Sequence, residues 1–265
     1  MLDPEILERY AQAQDIAGRA GALALVYWRS RETLAIESKV SAQDIVSEAD
    51  RAVERQIRAE IAANFPGDGF IGEEYGRTEG TTGFTWVIDP IDGTSPYLHG
   101  MPNWCVAIAV LRRSETVAGV ISVPTHGEEF AAMRGDGAML NRAPLSLPPG
   151  VGVRNAVTAL GCSQHTNPVR AARMAREIVA GGGVFFNNGS GALMLAYVAA
   201  GRMAGCLSDH MMAWDCLAGL LIVREAGGRT APFRPDGDFR QPDKVLATAP
   251  DAWLDLLRIM RDDEG

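Results

Sequence analysis

The stretch Trp86-Val87-Ile88-Asp89-Pro90-Ile91-Asp92-Gly93-Thr94 decides how the rest of the chain is read. An apolar, β-compatible run over residues 84–88 ends in two carboxylates three residues apart. Pro90 stiffens the exit by fixing φ, and Gly93 lets the backbone turn and a ligand approach closely. Thr94 or Ser95 is placed to cap a following helix, with Pro96 in its first turn. Free N–H groups at a helix start seat a phosphate. One segment therefore offers hard oxygen ligands and an anion cradle together. Oxygen ligands without Cys or His favour magnesium, with manganese as the alternative. Alone, D-x-x-D-G also reads as a turn that uses Asp and Gly for backbone reasons.

Three further stretches carry candidate chemistry. Upstream, Ile71-Gly72-Glu73-Glu74-Tyr75-Gly76 sets two acids after an apolar pair and a glycine, a pattern that a solvated surface also produces. Earlier still, Lys39, Asp44 and Asp50 share a polar segment in which Ser47 and Asp50 make a capping signal, S-x-x-D. Downstream, Trp214-Asp215 opens an apolar helix, and there a carboxylate also serves as a cap.

Periodicity predicts amphipathic helices over 4–28 and 47–63. Short strands are predicted at 34–37, 105–111, 117–123 and 129–134, the last three with 84–88 forming an antiparallel meander. Residues 145–150, with Pro148, Pro149 and Gly150, mark a boundary. This gives an N-terminal α+β half (1–150) and a C-terminal α/β half (151–265). In the latter, strands at 156–160, 202–207 and 245–247 alternate with helices at 168–179, 191–200, 214–226 and 250–260.

The bulk properties exclude several classes. A chain of 265 residues that is 47% hydrophobic and 22% charged is an ordinary globular composition with room for a large core. A net charge of -8 argues against a general nucleic-acid binder and, for an enzyme acting on phosphates, calls for cations in the site. Cys105, Cys162, Cys206 and Cys216 have no CxxC spacing and read as buried thiols in a reducing compartment. No signal peptide and no membrane-spanning run is evident, so the expectation is a cytoplasmic protein with no membrane partner. His99, His126, His165 and His210 have no triad context and read as structural or surface residues.

Taken in order, these pieces resemble the inositol monophosphatase family, part of a larger group of lithium-sensitive, metal-dependent phosphatases. The resemblance rests on Lys39 through Asp50, on Gly72-Glu73-Glu74, on the intact D-P-I-D-G-T of Asp89 to Thr94, and on Trp214-Asp215 with the helix ending Glu225-Ala226-Gly227-Gly228. Asn188-Gly189-Ser190-Gly191-Ala192 and Ala196 to Arg202 are similar too. It implies a layered α/β/α/β/α sandwich of the inositol monophosphatase/fructose-1,6-bisphosphatase type, a homodimer, and two or three Mg2+ ions. Glu73, Asp89 and the Ile91 carbonyl would hold the first ion, and Asp89, Asp92 and Asp215 the second. Glu73, with Glu74, would help place a third. Thr94 paired with Asp50 would activate the attacking water, with Glu73 in the catalytic group. Gly93 and Thr94 amides would bind the phosphate, and Lys39 would supply a counter-charge. Asp92, Gly189, Ser190, Ser208 and Asp215 would face the substrate.

The resemblance implies hydrolysis of a small phosphate monoester, inositol monophosphate first. Histidinol-phosphate, fructose-1,6-bisphosphate and 3′-phosphoadenosine 5′-phosphate phosphatases share the motifs. A regulatory protein that binds transcription or ribosome-assembly machinery is the reading from a different class. The chain departs from the family at specificity positions. Ser95-Pro96-Tyr97 replaces Thr-Asn-Phe, Ser208 stands where inositol-specific members carry a glutamate, Cys162 replaces a loop serine, and Asn187 and Asn188 stand where an arginine is common. Asp209, beside Ser208, is a conceivable partner for a substrate amine.

Overall fold

Two mixed sheets and three helical layers build the molecule, seen in a computed structural model that describes residues 3–33, 36–38 and 45–261. Lys39 and Asp44 lie outside the described residues. The chain opens with α1 (Pro4–Arg29), whose first turn holds Pro4 and whose N-terminus is capped by the Asp3 carboxylate accepting from the Glu5 N–H at 3.0 Å. A short hairpin, β1 (Ile36–Ser38) and β2 (Ile45–Ser47), leads into α2 (Glu48–Asn64). Ser47 caps α2 as its S-x-x-D pattern predicts, and Asp50 answers by accepting from the Ser47 N–H at 2.8 Å.

The larger sheet contains β3 (Gly69–Gly72), β4 (Gly76–Thr78), β5 (Phe84–Asp92), β6 (Cys105–Arg112), β7 (Glu115–Val123), β8 (Glu128–Met133), β9 (Gly137–Leu140) and β10 (Ala143–Leu145). Its order is β10-β9-β8-β7-β6-β5-β3-β4, antiparallel throughout except for the β3–β5 pair. The predicted meander is thus its centre. The outer strands β3, β4, β9 and β10 were not predicted, because each has only three or four residues and glycine interrupts the period-2 signal in three of them. A single turn, α3 (Thr94–Leu98), follows β5.

The second sheet holds β11 (Val157–Gly161), β12 (Val184–Phe186), β13 (Met203–Met211), β14 (Arg229–Thr230) and β15 (Asp243–Thr248), in the order β12-β11-β13-β15-β14. Between its strands run α4 (Pro168–Ala180), α5 (Gly191–Ala199) and α6 (Ala213–Glu225), with α7 (Trp253–Met260) last. Three apolar cores fix the layers. One packs α1 and α2 on the outer face of the larger sheet, with Ile16, Ile57 and Trp86 fully enclosed. Another packs α4 and α7 on the outer face of the smaller sheet. The third lies between the sheets and is filled by α5 and α6. That position explains why α6 is apolar on all sides: both of its faces meet a sheet. Each fully buried Leu or Ile there contributes about 1.5–3 kcal/mol. Among the described residues, no helix is long and apolar enough to cross a membrane.

Candidate active site

A bulge at the end of β5 aims its carboxylates. In a regular strand, residues three apart point to opposite faces. Here Asp89 pairs with Ala107 and Asp92 with Cys105, so three steps on β5 oppose two on β6. The extra residue turns both Asp89 and Asp92 toward the same side. Pro90, which has no N–H to give a ladder, suits the irregularity. Asp89 Oδ1 accepts from the Ile91 N–H at 3.1 Å and stiffens it.

Gly93 ends the strand with φ +95, and a Cβ there would lie 2.7 Å from the Asn103 carbonyl. Gly93, and neither Thr94 nor Ser95, occupies the cap of α3, which has no side-chain cap bond. The Thr94 hydroxyl is engaged elsewhere, 3.2 Å from both Asp50 Oδ1 and the Ile91 carbonyl. Asp50 is held for it by Ser47, whose Oγ donates to Oδ2 at 2.6 Å. Burial raises the Asp50 carboxyl above its usual range, although the bonds from Ser47 and Thr94 oppose this.

Glu73 follows β3 and is anchored beside β5 by its N–H on the Ile88 carbonyl at 3.3 Å. Its turn is shaped by a residue that sequence reading missed. Glu54 of α2, fully buried, accepts from the Glu74 N–H at 2.8 Å, from the Tyr75 N–H at 3.3 Å and from Arg58 Nε at 2.7 Å. A Cβ at Gly72 would sit 2.0 Å from Glu54 Oε1, so the glycine of G-E-E is the space the carboxylate needs. The signal was a charged residue on the apolar stripe of Val53, Ile57 and Ile61.

The second half of the chain closes the site. Asp215 sits in the first turn of α6 and caps it, accepting from the Met212 N–H at 2.9 Å, so the cap and ligand readings coexist. Asp92 binds the N-terminus of α5. It accepts from Ser190 Oγ at 2.5 Å, from the Gly191 N–H at 3.1 Å and from the Ala192 N–H at 2.6 Å. The Cys105 thiol adds a bond to it at 3.6 Å.

Asp89, Asp92 and Asp215 each offer an oxygen, and these atoms lie within 4.8 Å of one another. Like charges at that distance cost about 3 kcal/mol per pair at an effective dielectric near 20. Burial raises all three carboxyls. Glu73 is the foremost charge adding to this at Asp89, and Asp92 at Asp215, which is pushed up to about 7. An all-oxygen donor set of acids that resist ionising alone fits a hard divalent cation. Glu73 is not one of the three acids whose oxygens meet within 4.8 Å; its charge acts on Asp89, and it borders one cavity with Gly93 and Thr94 and another with Asp215.

The larger cavity measures about 660 Å³ and runs from Glu73 over α3 to Cys162 and Gly189. A smaller one, of about 140 Å³, is bordered by Asp92, Ser190, Ser208 and Asp215. Gly189, Ser190 and Ser208 thus face the acids from the second half. Ser208 Oγ donates to the His210 carbonyl at 3.0 Å. Asp209 Oδ2 accepts from the Asn167 N–H at 3.0 Å, and Asp209 is not among the residues bordering these cavities. Cys105, Cys206 and Cys216 are buried as expected, whereas Cys162 is exposed on the cavity wall.

Acids from both halves converging at the end of a strand, inside a five-layer sandwich, define a metal-dependent phosphoric monoester hydrolase. A sequence model of the inositol monophosphatase family matches residues 6–261. The chain belongs to that family. It is 42% identical over 210 residues to an inositol-1-monophosphatase of Mesorhizobium japonicum, covering 77% of this chain and 78% of that one. It is 34% identical over 255 residues to the Nus factor SuhB of Escherichia coli, covering 93% of each. The crystal structure of the extragenic suppressor protein suhB from Bartonella henselae superposes with a TM-score of 0.88 at 32% identity, over 96% of this chain and 98% of that one.

Proposed function

We propose that this chain is a magnesium-dependent phosphatase for inositol monophosphate or a closely related cyclic polyol phosphate. The observation that carries the reading is the meeting of Asp89, Asp92 and Asp215 within 4.8 Å, with Glu73 beside them. Glu73, Asp89, the Ile91 carbonyl, Asp92 and Asp215 would hold the cations, which would supply neutralisation of the cluster and stabilisation of charge on the phosphate oxygens.

The protein's own groups handle the proton and the geometry. A water against Thr94 Oγ1 gives its proton to that hydroxyl as Thr94 passes its own to Asp50. Burial, which makes Asp50 a better proton acceptor, favours the transfer. The new P–O bond forms from the water side; the bond to the alcohol breaks on the opposite side, its electron pair leaving with the alcohol oxygen, which takes a proton from solvent. Gly93 and Thr94 amides hold the phosphate, while Gly189, Ser190 and Ser208 border the space for the alcohol. A homodimer in the cytoplasm completes the reading, supported by the family resemblance.

The test is phosphate release from inositol 1-phosphate, histidinol phosphate, glycerol 2-phosphate and a sugar bisphosphate, with magnesium and with a chelator. Magnesium-dependent release led by inositol 1-phosphate is expected. Release led by another ester moves the substrate, and release that survives the chelator refutes the metal assignment. The relatives named Nus factor SuhB favour a second role in transcription or ribosome assembly. Pull-downs with wild type and Asp89→Asn separate the two: partner binding that persists without hydrolysis shows independent functions.

A further inference from the structure

The acid cluster accounts for the phosphate, but the alcohol needs its own recognition. Beside the cluster stand two stacked imidazoles. His165, in the loop between β11 and α4, and His210, near the end of β13, have ring centroids 4.8 Å apart and planes inclined by 26°. That spacing falls within the range of attractive aromatic pairs.

Three depressions adjoin the acids, and the pair borders all of them. His165 shares one with Glu73 and Thr94. His210 shares the second with Asp92 and Asp215. Both rings share the third with Glu73 and Asp215. The volumes of about 660 Å³ and 500 Å³ leave room beyond any phosphate group. An ester whose phosphorus lies at the acids has room to send its alcohol toward these rings.

The wall offers ring faces and polar edges. Burial, with His165 next to it, pushes His210 below the usual imidazole range, while Asp209 acts weakly the other way. A neutral ring gives one N–H donor and one nitrogen acceptor. Arg240, which borders the same depression, is held by Asp238 at 2.7 Å and does not mark a seat for a second phosphate. A hydroxylated ring fits this wall, with its C–H face on an imidazole and its hydroxyls on the ring nitrogens.

Resting on the polyol-phosphate reading above, we propose that the His165–His210 stack is the specificity wall for the leaving alcohol, selecting cyclic over short acyclic polyol phosphates. His165→Ala removes an exposed ring and spares the core, and His210→Gln keeps a polar edge without the aromatic face. Both are compared with the unaltered enzyme on inositol 1-phosphate and glycerol 2-phosphate in magnesium. The ratio of kcat/KM for the ring over the acyclic ester is expected to fall about tenfold, chiefly through KM of the ring ester. An unmoved ratio in both variants, whether the rates hold or fall together, overturns the wall alone. Turnover of glycerol 2-phosphate but not inositol 1-phosphate by the unaltered enzyme overturns the cyclic-polyol reading and the wall with it, as does release from neither.

Discussion

Replacing Asp89 with asparagine should strengthen the metal-free protein while ending its catalysis. Asp89 is buried and faces Asp92 and Asp215 within 4.8 Å, with Glu73 adding to its burden. Each such pair costs about 3 kcal/mol when both members are charged. Protons taken up by the raised carboxyls already relieve part of that cost, so the expected gain is about 1–3 kcal/mol at pH 8. Asparagine has nearly the same shape and keeps Oδ1 for the Ile91 N–H, so the bulge is retained. For a chain of this size the gain corresponds to roughly 2–12 °C in Tm. The sign with pH follows from the raised pKa. Ionising such a carboxyl costs the native state nothing near pH 4 and progressively more as pH climbs toward the folded value. The advantage of Asp89→Asn should therefore shrink on acidification. Thermal unfolding in chelator and in magnesium, at pH 5 and pH 8, measures all of this. Magnesium should raise the Tm of the wild type and leave the variant unmoved. A variant less stable than wild type in chelator at pH 8, or one still stabilised by magnesium, would refute the reasoning.

Gly119→Ala should cost about 1–3 kcal/mol, because its Cβ would lie 2.9 Å from the backbone of Ala218 in α6. Magnesium affinity should fall with stability, since the same helix carries Asp215; a titration showing only the stability loss would free the ligand from the helix. Burial acts to raise the Asp68 carboxyl, but bonds from Arg9 at 2.8 Å, Thr82 at 2.6 Å and Trp86 at 2.9 Å hold it below its usual range. Its stability contribution is present above about pH 4 and is lost as pH falls through the depressed value. Arg9→Met should cost about 3–5 kcal/mol at neutral pH and flatten the acid decline, because Asp68 is then less depressed, read from urea midpoints between pH 3 and 7; parallel curves would count against the pair. Thr94→Ala should lower kcat with little change in magnesium affinity, and the reverse pattern would remove Thr94 from the proton path.

What the sequence made legible was chemistry carried on contiguous residues. Asp89, Asp92 and Gly93 announced a ligand segment because proline and glycine flank them at a strand end. The bulge that turns both carboxylates the same way was not legible, because it is set by the pairing with β6, a property of two strands. Glu54 stands out as a charge on the apolar stripe of α2, but its partners were hidden for a similar reason: the Glu74 and Tyr75 N–H groups reach it only once α2 packs on the turn after Gly72. Helix α6 could be read from its apolar run, but its seat between two sheets follows from partners far along the chain. The His165–His210 contact joins residues 45 positions apart and leaves no local trace. The edge strands β12 and β14 span three and two residues and carry no usable period.

The division of ligands between the two halves has a consequence for the newborn chain. Asp92 leaves the ribosome 123 positions before Asp215. At about 5–20 residues per second, the acids on β5 wait roughly 6–25 s for their last partner. Until residues 190–192 are made, Asp92 has no helix terminus to bind, and until α5 and then α6 follow, the inner face of the larger sheet lacks its cover. The half-made enzyme exposes an apolar sheet with uncompensated acids at one end.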